Sequence, residues 1–294
     1  MNAIVGTGLS GLVGTRIQEL LREYYTFEDL SLKTHVDITN VEQVQKRVGE
    51  SLASTILHMA AITDVDACED DKILGEEGAA WRVNVEGTRN IIDAARKTGK
   101  KVIYISTDFV FDGTKEFYIE TDTPNPLNWY GYTKYMGESI VTDSGVEFVI
   151  FRLAYPYRAE FSEKMDFVRR IIEKLTHKEK IFSLTDHIFT PTFIDDFAIA
   201  IDEVIRQNAE GIFHAVGSES LTPDEATKRI MDVFQLTGDV EKTTREVFFH
   251  DRAFRPCRLA LKNDKIARLG VKMLGFAEGL SEMKKQLTFQ EKKT

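Results

Sequence analysis

The sequence predicts an α/β fold, a doubly wound parallel sheet with a smaller mixed α/β lobe. Three observations carry that prediction. In the first half, short β-prone runs alternate with helix-length amphipathic segments, the rhythm of parallel strands joined by helical crossovers. A glycine-rich turn separates the first run from the first helix. After about residue 152 the rhythm weakens, so 1–152 form one unit and 153–294 mainly another, with the chain returning to the first at about 186–216.

The elements follow in order. Residues 3–5 are apolar and β-prone, and after the glycines Ile17, Leu20, Leu21 and Tyr24 recur at helical spacing. Residues 30–32 read as a second strand. Thr39-Asn40-Val41-Glu42 has capping-box spacing, and Val41, Val44 and Val48 stripe the helix it opens. Residues 55–60 read as a buried strand and 79–98 as a helix that Gly99 stops. Strands follow at 101–106 and 147–153, helices at 166–175 and 194–205, and a strand at 211–216. Thr222-Pro223-Asp224-Glu225 joins an N-cap, a first-turn proline and a box glutamate.

Lys and Arg number 38 against 47 Asp and Glu, a net charge of −9, which counts against a nucleic-acid partner. A small anionic ligand held by backbone N–H groups remains compatible. With 2 cysteines, Cys68 and Cys257, and no C-x-x-C pair, a disulfide framework or cysteine zinc site is not expected. No apolar run reaches membrane-spanning length. The start, Met1-Asn2-Ala3-Ile4-Val5-Gly6, lacks the charged and apolar regions of a signal peptide, so cytoplasmic residence is the expectation.

Gly8-Leu9-Ser10-Gly11-Leu12-Val13-Gly14 follows a strand and opens a helix. Glycines there allow a tight turn and close approach of backbone to a pyrophosphate, which the helix-start N–H groups hold. This is the Rossmann dinucleotide context, and Gly8, Ser10, Gly11, Leu12, Val13, Gly14 and Arg16 are its candidate cofactor contacts. After the second strand the sequence reads Leu32-Lys33-Thr34-His35, with no acid until Asp37. A cation there suits a 2′-phosphate, so NADP is favoured, with NAD as the other option. Asp37-Ile38 is placed beside the adenine.

Tyr130 and Lys134 are four apart and share a helix face. An ammonium beside a phenol lowers its pKa, and Tyr130 then donates a proton to a carbonyl oxygen as hydride reaches the carbon. Thr107, at the end of the strand 101–106, can hold that oxygen.

These residues reach a known family. The glycine turn, Ser106-Thr107-Asp108-Phe109-Val110-Phe111-Asp112-Gly113, Glu120-Thr121-Asp122 and Pro126-Leu127-Asn128-Trp129-Tyr130-Gly131-Tyr132-Thr133-Lys134 resemble the extended short-chain dehydrogenase/reductases, and among them the dTDP-4-dehydrorhamnose reductases. Ala60-Ala61-Ile62-Thr63-Asp64-Val65, Asn84-Val85-Glu86-Gly87-Thr88, Pro191-Thr192 and Arg255-Pro256 are similar to that family's segments. The resemblance implies an NADP(H)-dependent oxidoreductase acting on a nucleotide-linked 4-keto sugar in rhamnose biosynthesis. It implies Thr107, Tyr130 and Lys134 as the catalytic set, with Tyr130 and Lys134 also at the cofactor beside Ala60 and Ala61. Thr63, Val65, Thr107, Asp108, Phe109 and Tyr155 are implied at the sugar.

Two departures fall on the sugar side. Arg152-Leu153-Ala154-Tyr155-Pro156-Tyr157 lacks the family's Trp, and Asp186-His187-Ile188-Phe189-Thr190-Pro191-Thr192 has Phe189 in place of Gly. The related 4,6-dehydratases carry Asp-Glu after the threonine; here Phe109 follows Asp108 and cannot move a proton, so reduction is favoured over elimination. The chain also resembles the β subunit of methionine adenosyltransferase, which makes an NADP-binding regulatory subunit the alternative. A homodimer or a partner enzyme is compatible with either.

Asp64, Asp66, Glu69, Asp70 and Asp71 read as a solvated acidic face, with no EF-hand pattern and no metal expected. His58 reads as a satisfied core or rim histidine. Asn84 is a candidate to bond backbone near Lys134. His187 and His214 have no H-E-x-x-H partner, and no G-x-S-x-G elbow points to a hydrolase.

Overall fold

A computed structural model describes residues 2–160 and 164–291. Its centre is a 6-stranded sheet in which β2 (Tyr25–Leu30), β1 (Asn2–Thr7), β3 (Thr55–His58), β4 (Lys101–Thr107), β5 (Phe148–Leu153) and β10 (Gly211–His214) lie side by side. Every neighbouring pair is parallel. Parallel strands need crossovers, and helices cover both faces. On one face α1 (Leu12–Leu21) packs beside α8 (Ile194–Arg206), with Ile17, Phe151, Phe197 and Ile201 buried together. On the other, α2 (Val41–Glu50) and α5 (Gly87–Thr98) cover the sheet through Val44, Val48, Ile91 and Ala95.

The chain leaves β1 for β2 on one side and comes back to β3 on the other. That reversal opens a crevice beyond the carboxyl ends of β1 and β3, where doubly wound sheets bind ligands. α3 (Val65–Asp71) follows β3. The long helix expected over 79–98 is α4 (Ala79–Trp81) joined to α5 through a π-turn, Arg82–Glu86, and Gly99 ends it at φ 66°. α6 (Trp129–Thr142) packs against β4.

The smaller lobe pairs β6 (Pro156–Tyr157) with β9 (Thr192–Phe193), β7 (Ile181–Leu184) with β11 (Val240–Thr243), and β8 (Ile188–Phe189) with β12 (Arg258–Leu259). Around them stand α7 (Phe167–Thr176), α9 (Pro223–Phe234) and α12 (Phe276–Glu291), sharing a core of Tyr157, Phe189, Phe193 and Phe276. Short α10 (Arg245–Phe248) follows β11, and α11 (Asp264–Ala267) sits under β10. Thr222 caps α9 with the full box: it accepts from Glu225 N, and Glu225 reaches back to it.

Three local expectations need correction. The second strand is Tyr25–Leu30, not 30–32; Leu32 lies in a tight turn, Leu32–Thr34, 75% exposed. Asn40, not Thr39, caps α2, accepting from Glu42 N and Gln43 N, so no box forms and Val41 turns outward. Tyr24 lies beyond α1 and is exposed. No helix of the described residues is long and apolar enough to cross a membrane.

Candidate active site

The glycine turn joins β1 to α1 at the crevice. Gly8 has φ 68°, and a Cβ there would stand 2.7 Å from Ala60 N. A Cβ on Gly14 would stand 2.5 Å from Gly8 O. Gly11 N donates to Gly8 O at 3.1 Å, and Gly11 caps α1 without any side chain accepting the first N–H groups. No acid lies in the first turn of α1. Ser10, Leu12 and Val13 lie within this turn and helix start, and Ala60, just past the end of β3, backs onto Gly8, with Ala61 following it. Uncapped amides, a positive helix end and glycines that no side chain can replace fit a dinucleotide pyrophosphate.

Arg16 does not extend that cradle. Its Nε donates to Asp195 Oδ1 at 2.7 Å and its Nη2 to Asp195 Oδ2 at 2.6 Å, tying α1 to α8. Arg158 of the smaller lobe instead reaches the first turns of α1, donating to Thr15 Oγ1 at 2.9 Å and to Glu19 at 2.7 Å. Sequence reasoning missed it, because nothing local marks an arginine that acts across 143 residues.

The strand correction changes the ribose end. Asp29 is the penultimate residue of β2, in register with Gly6. Its Oδ2 accepts from Ser31 Oγ at 2.7 Å, while Oδ1 is buried without a hydrogen-bond partner. An acid therefore stands at the strand end where none was expected, and Lys33 follows in the exposed turn. Asp37 accepts from Thr39 N and Oγ1 at 2.9 and 2.8 Å, and Ile38 is buried against Gly87.

Thr107 ends β4, and Asp108 and Phe109 follow in a tight turn. Tyr130 stands one residue inside α6, whose first turn Asn128 caps by accepting from Gly131 N at 2.8 Å. Gly131 is obligatory, since a Cβ there would lie 2.2 Å from Phe109 O. The α6 start is thereby pressed onto the β4 end, which brings the Tyr130 phenol close to the Thr107 side chain. The Phe109 ring meets Tyr130 edge-on at 5.8 Å.

The electrostatics differ from the sequence expectation. Burial raises the Tyr130 pKa, outweighing the nearby Thr107 hydroxyl, which works to lower it. Burial also pushes Lys134 down to about 7, opposed by the Glu138 carboxylate, with its Nζ 4.1 Å from the centre of the Tyr104 ring. The phenol is held protonated rather than activated as a base, the form a proton donor needs. Asp108 is 1% exposed, and burial pushes its carboxyl up to about 7 against a hydrogen bond from Thr107.

Asn84, in the π-turn, locks the site from behind. It accepts from Ile62 N at 2.8 Å and donates to Thr133 Oγ1 at 3.0 Å, while Thr133 donates to Tyr130 O at 2.9 Å. π-turns recur at functional sites because they re-aim side chains. Val65 begins α3, and Thr63 is exposed and accepts from Lys164 Nζ at 3.3 Å. Tyr155 has φ 42°, and its hydroxyl donates to His187 Nε2 at 3.0 Å; no sequence signal linked this pair.

The acidic cluster is not a merely solvated face. Asp64 caps α3, Asp66 pairs with Arg255, Glu69 accepts from Trp129 N at 2.7 Å and Asp71 from Ala80 N at 2.7 Å. Among the described residues no cluster could hold a metal ion.

Comparison with known proteins agrees with this geometry. The sequence profile described as "RmlD substrate binding domain" matches residues 1–289. The crystal structure of dTDP-4-dehydrorhamnose reductase from Bacillus anthracis in complex with NADP superposes with a TM-score of 0.88 at 31% identity, covering 97% of this chain and 100% of that one. The dTDP-4-dehydrorhamnose reductase of Sinorhizobium fredii is 27% identical over 290 residues, 92% of this chain and 93% of its own. Subunit beta of mouse methionine adenosyltransferase 2 is 28% identical over 250 residues, 78% of this chain and 71% of its own.

Proposed function

The chain belongs to the RmlD substrate binding domain family, and from that membership we infer that it is an NADP(H)-dependent reductase of a nucleotide-linked 4-keto sugar. The observation that carries the reading is the buried Tyr130, set by the first turn of α6 beside Thr107 at the carboxyl end of β4, in the same parallel sheet whose first strand ends in the glycine turn. NADPH bound at the cradle supplies the hydride. Residues 1–152 with the returning segment hold the dinucleotide, and the smaller lobe holds the sugar nucleotide.

Tyr130 gives its proton to the keto oxygen while charge develops there, and Thr107 holds that oxygen in line. Lys134, one helical turn further on, keeps positive charge beside the nicotinamide ribose. Gly8, Ser10, Gly11, Leu12, Val13 and Gly14 carry the pyrophosphate, and Asp29 and Lys33 flank the adenosine ribose. Thr63, Val65, Asp108, Phe109 and Tyr155 line the sugar. A hydroxyl-bearing Tyr155 replaces an indole in this wall, which alters the sugar's fit and leaves the proton donor untouched. The work is assigned to the cytoplasm, where nucleotide sugars and NADPH are made available.

The test follows NADPH oxidation with dTDP-4-keto-6-deoxy sugars and their UDP and GDP counterparts. Tyr130→Phe lowers kcat by roughly 10²–10⁴ on the best substrate. Equal, negligible rates for wild type and variant on every sugar would sink the enzymatic reading. The regulatory-subunit alternative rests on kinship with the mammalian methionine adenosyltransferase 2 β subunits. It predicts a stable complex with a partner enzyme and no turnover.

A further inference from the structure

Residues 249–257 run from α10 to β12 in the smaller lobe, yet they are fastened to the larger one. Ala253 N donates to Asp66 Oδ1 at 3.1 Å, and the Arg255 guanidinium pairs with the same carboxylate. Asn128 Nδ2 donates to Phe254 O at 2.9 Å. Pro256 O accepts from His187 Nδ1 at 2.9 Å, and His187 Nε2 accepts from the Tyr155 hydroxyl at 3.0 Å. Each fastening falls beside the crevice. Asp66 follows Val65, Asn128 stands just before Trp129 and Tyr130, and His187 holds Tyr155. The segment is a strap along the sugar side of the site, tied to α3, to the start of α6 and to the approach of β8.

Asn128 is 3% exposed and uses both ends of its amide. Its Oδ1 caps α6 by accepting from Gly131 N, while its Nδ2 goes to the strap. A cap needs only the acceptor, which serine, threonine or aspartate supplies as well. Among those caps only asparagine also carries N–H donors, so the tie to Phe254 O accounts for the residue type. The α6 start is held on its other sides too. Trp129 N donates to Glu69 Oε2 of α3 at 2.7 Å, and Gly131 abuts Phe109 O in the turn after β4. The strap closes the side that α3 and β4 leave open.

We propose that Asn128 is a positioning residue for Tyr130, locking the first turn of α6 to the strap so that the smaller lobe fixes where the phenol stands. The proposal rests on the reductase reading and deepens it: the lobe that holds the sugar also aims the proton donor. Asn128 moves no proton itself and acts through the helix turn. Proton transfer needs the phenol oxygen within hydrogen-bond reach of the keto oxygen. A misplacement of about 1 Å there costs roughly 10²-fold in rate. A tie two residues before the donor, reaching a segment that also holds the Tyr155–His187 pair, sets donor and sugar wall in one frame.

The experiment uses Asn128→Ser, which keeps the capping acceptor and gives up the amide donor. Its thermal midpoint should stay within about 3 °C of wild type, because the cap survives. NADPH Kd should stay within about twofold, while kcat on the sugar nucleotide that wild type reduces best falls at least about tenfold. An unchanged kcat overturns the proposal, and so does a kcat loss matched by an equal loss of NADPH affinity. A second measurement needs no sugar. Asp66→Asn frees Arg255 and loosens the strap from α3, and hydrogen exchange is followed in residues 249–257 and 129–133. Both segments should exchange at least about fivefold faster, and in the Asn128→Ser background only the strap should respond to the Asp66 change. A quickened strap with an unmoved α6 start overturns the proposal. So does an α6 response of the same size in the Asn128→Ser background, which would run through α3. Coupled exchange supports the tie even where no sugar is reduced, and that failure indicts the reductase reading instead.

Discussion

His58 is held between two threonines: Thr7 donates to its Nδ1 at 2.7 Å, and its Nε2 donates to Thr88 at 3.0 Å, which in turn donates to Asn84 O at 2.7 Å. The ring links the strand that begins the glycine turn to the π-turn behind the site. Burial, the largest cause, with the Lys134 charge behind it, pushes the His58 pKa from 6.5 down to about 3. The folded state thus needs neutral His58, and its contribution is complete above the unfolded pKa and lost as pH falls toward the folded one. His58→Leu leaves the Thr7 hydroxyl without its acceptor and should cost about 2–4 kcal/mol at neutral pH. In urea denaturation the gap between wild type and variant should shrink by up to about 2 kcal/mol from pH 7 to pH 5. A constant gap would mean that His58 titrates normally.

Gly14→Ala sets a methyl group 2.5 Å from Gly8 O and 2.6 Å from Leu9 Cα, backbone atoms with no freedom to yield. The turn must open, and NADPH affinity should fall by more than about tenfold, with a stability loss of about 1–3 kcal/mol. Gly49 in α2 is the contrast, since a Cβ there meets nothing within 4 Å. Gly49→Ala should add about 0.5–1 kcal/mol and leave cofactor titration unchanged.

Arg152 and Glu138 are 1% and 3% exposed and meet at 2.7 Å, below the site. Arg152→Met strands a buried carboxylate and should cost about 3–5 kcal/mol. Adding Glu138→Leu removes the stranded charge, and the double variant should regain most of that loss in thermal or urea unfolding. A double variant no better than the single one would show that the arginine's contacts with Phe111 and His214 dominate.

Arg16 tests which arginine matters at the cofactor end. Because Asp195 takes both edges of its guanidinium, Arg16→Ala should change NADPH Kd by less than about threefold. A tenfold loss in a fluorescence titration would return Arg16 to the phosphates.

Legibility in the sequence followed the range of the forces. The glycine turn, the Gly99 stop and the Thr222 box were readable because each is set by neighbours a few residues away. The Tyr130–Lys134 spacing was readable for the same reason. The second strand was misplaced because Glu28 and Asp29 interrupt its apolar run. β2 is an edge strand with partly open faces, so it tolerates charges that a central strand would not. That slip hid Asp29. The lowering of Tyr130 expected from Lys134 failed because desolvation depends on everything packed around the ring, α3, β4 and α6 together. Tyr155–His187 and Arg158–Glu19 are long-range meetings with no local signature.

The order of strands also constrains how the chain is made. β10 closes the sheet beside β5, yet it is reached only at residue 211, after α7, α8 and much of the smaller lobe have emerged. Until then β5 is an open edge carrying Phe151 and Arg152, with its hydrogen-bonding groups bare on one side. A nascent chain halted near residue 200 would hold Thr107, Tyr130 and Lys134 and still lack the strand that closes the sheet beside β5. The vulnerable interval in its biogenesis lies between the synthesis of β5 and that of β10.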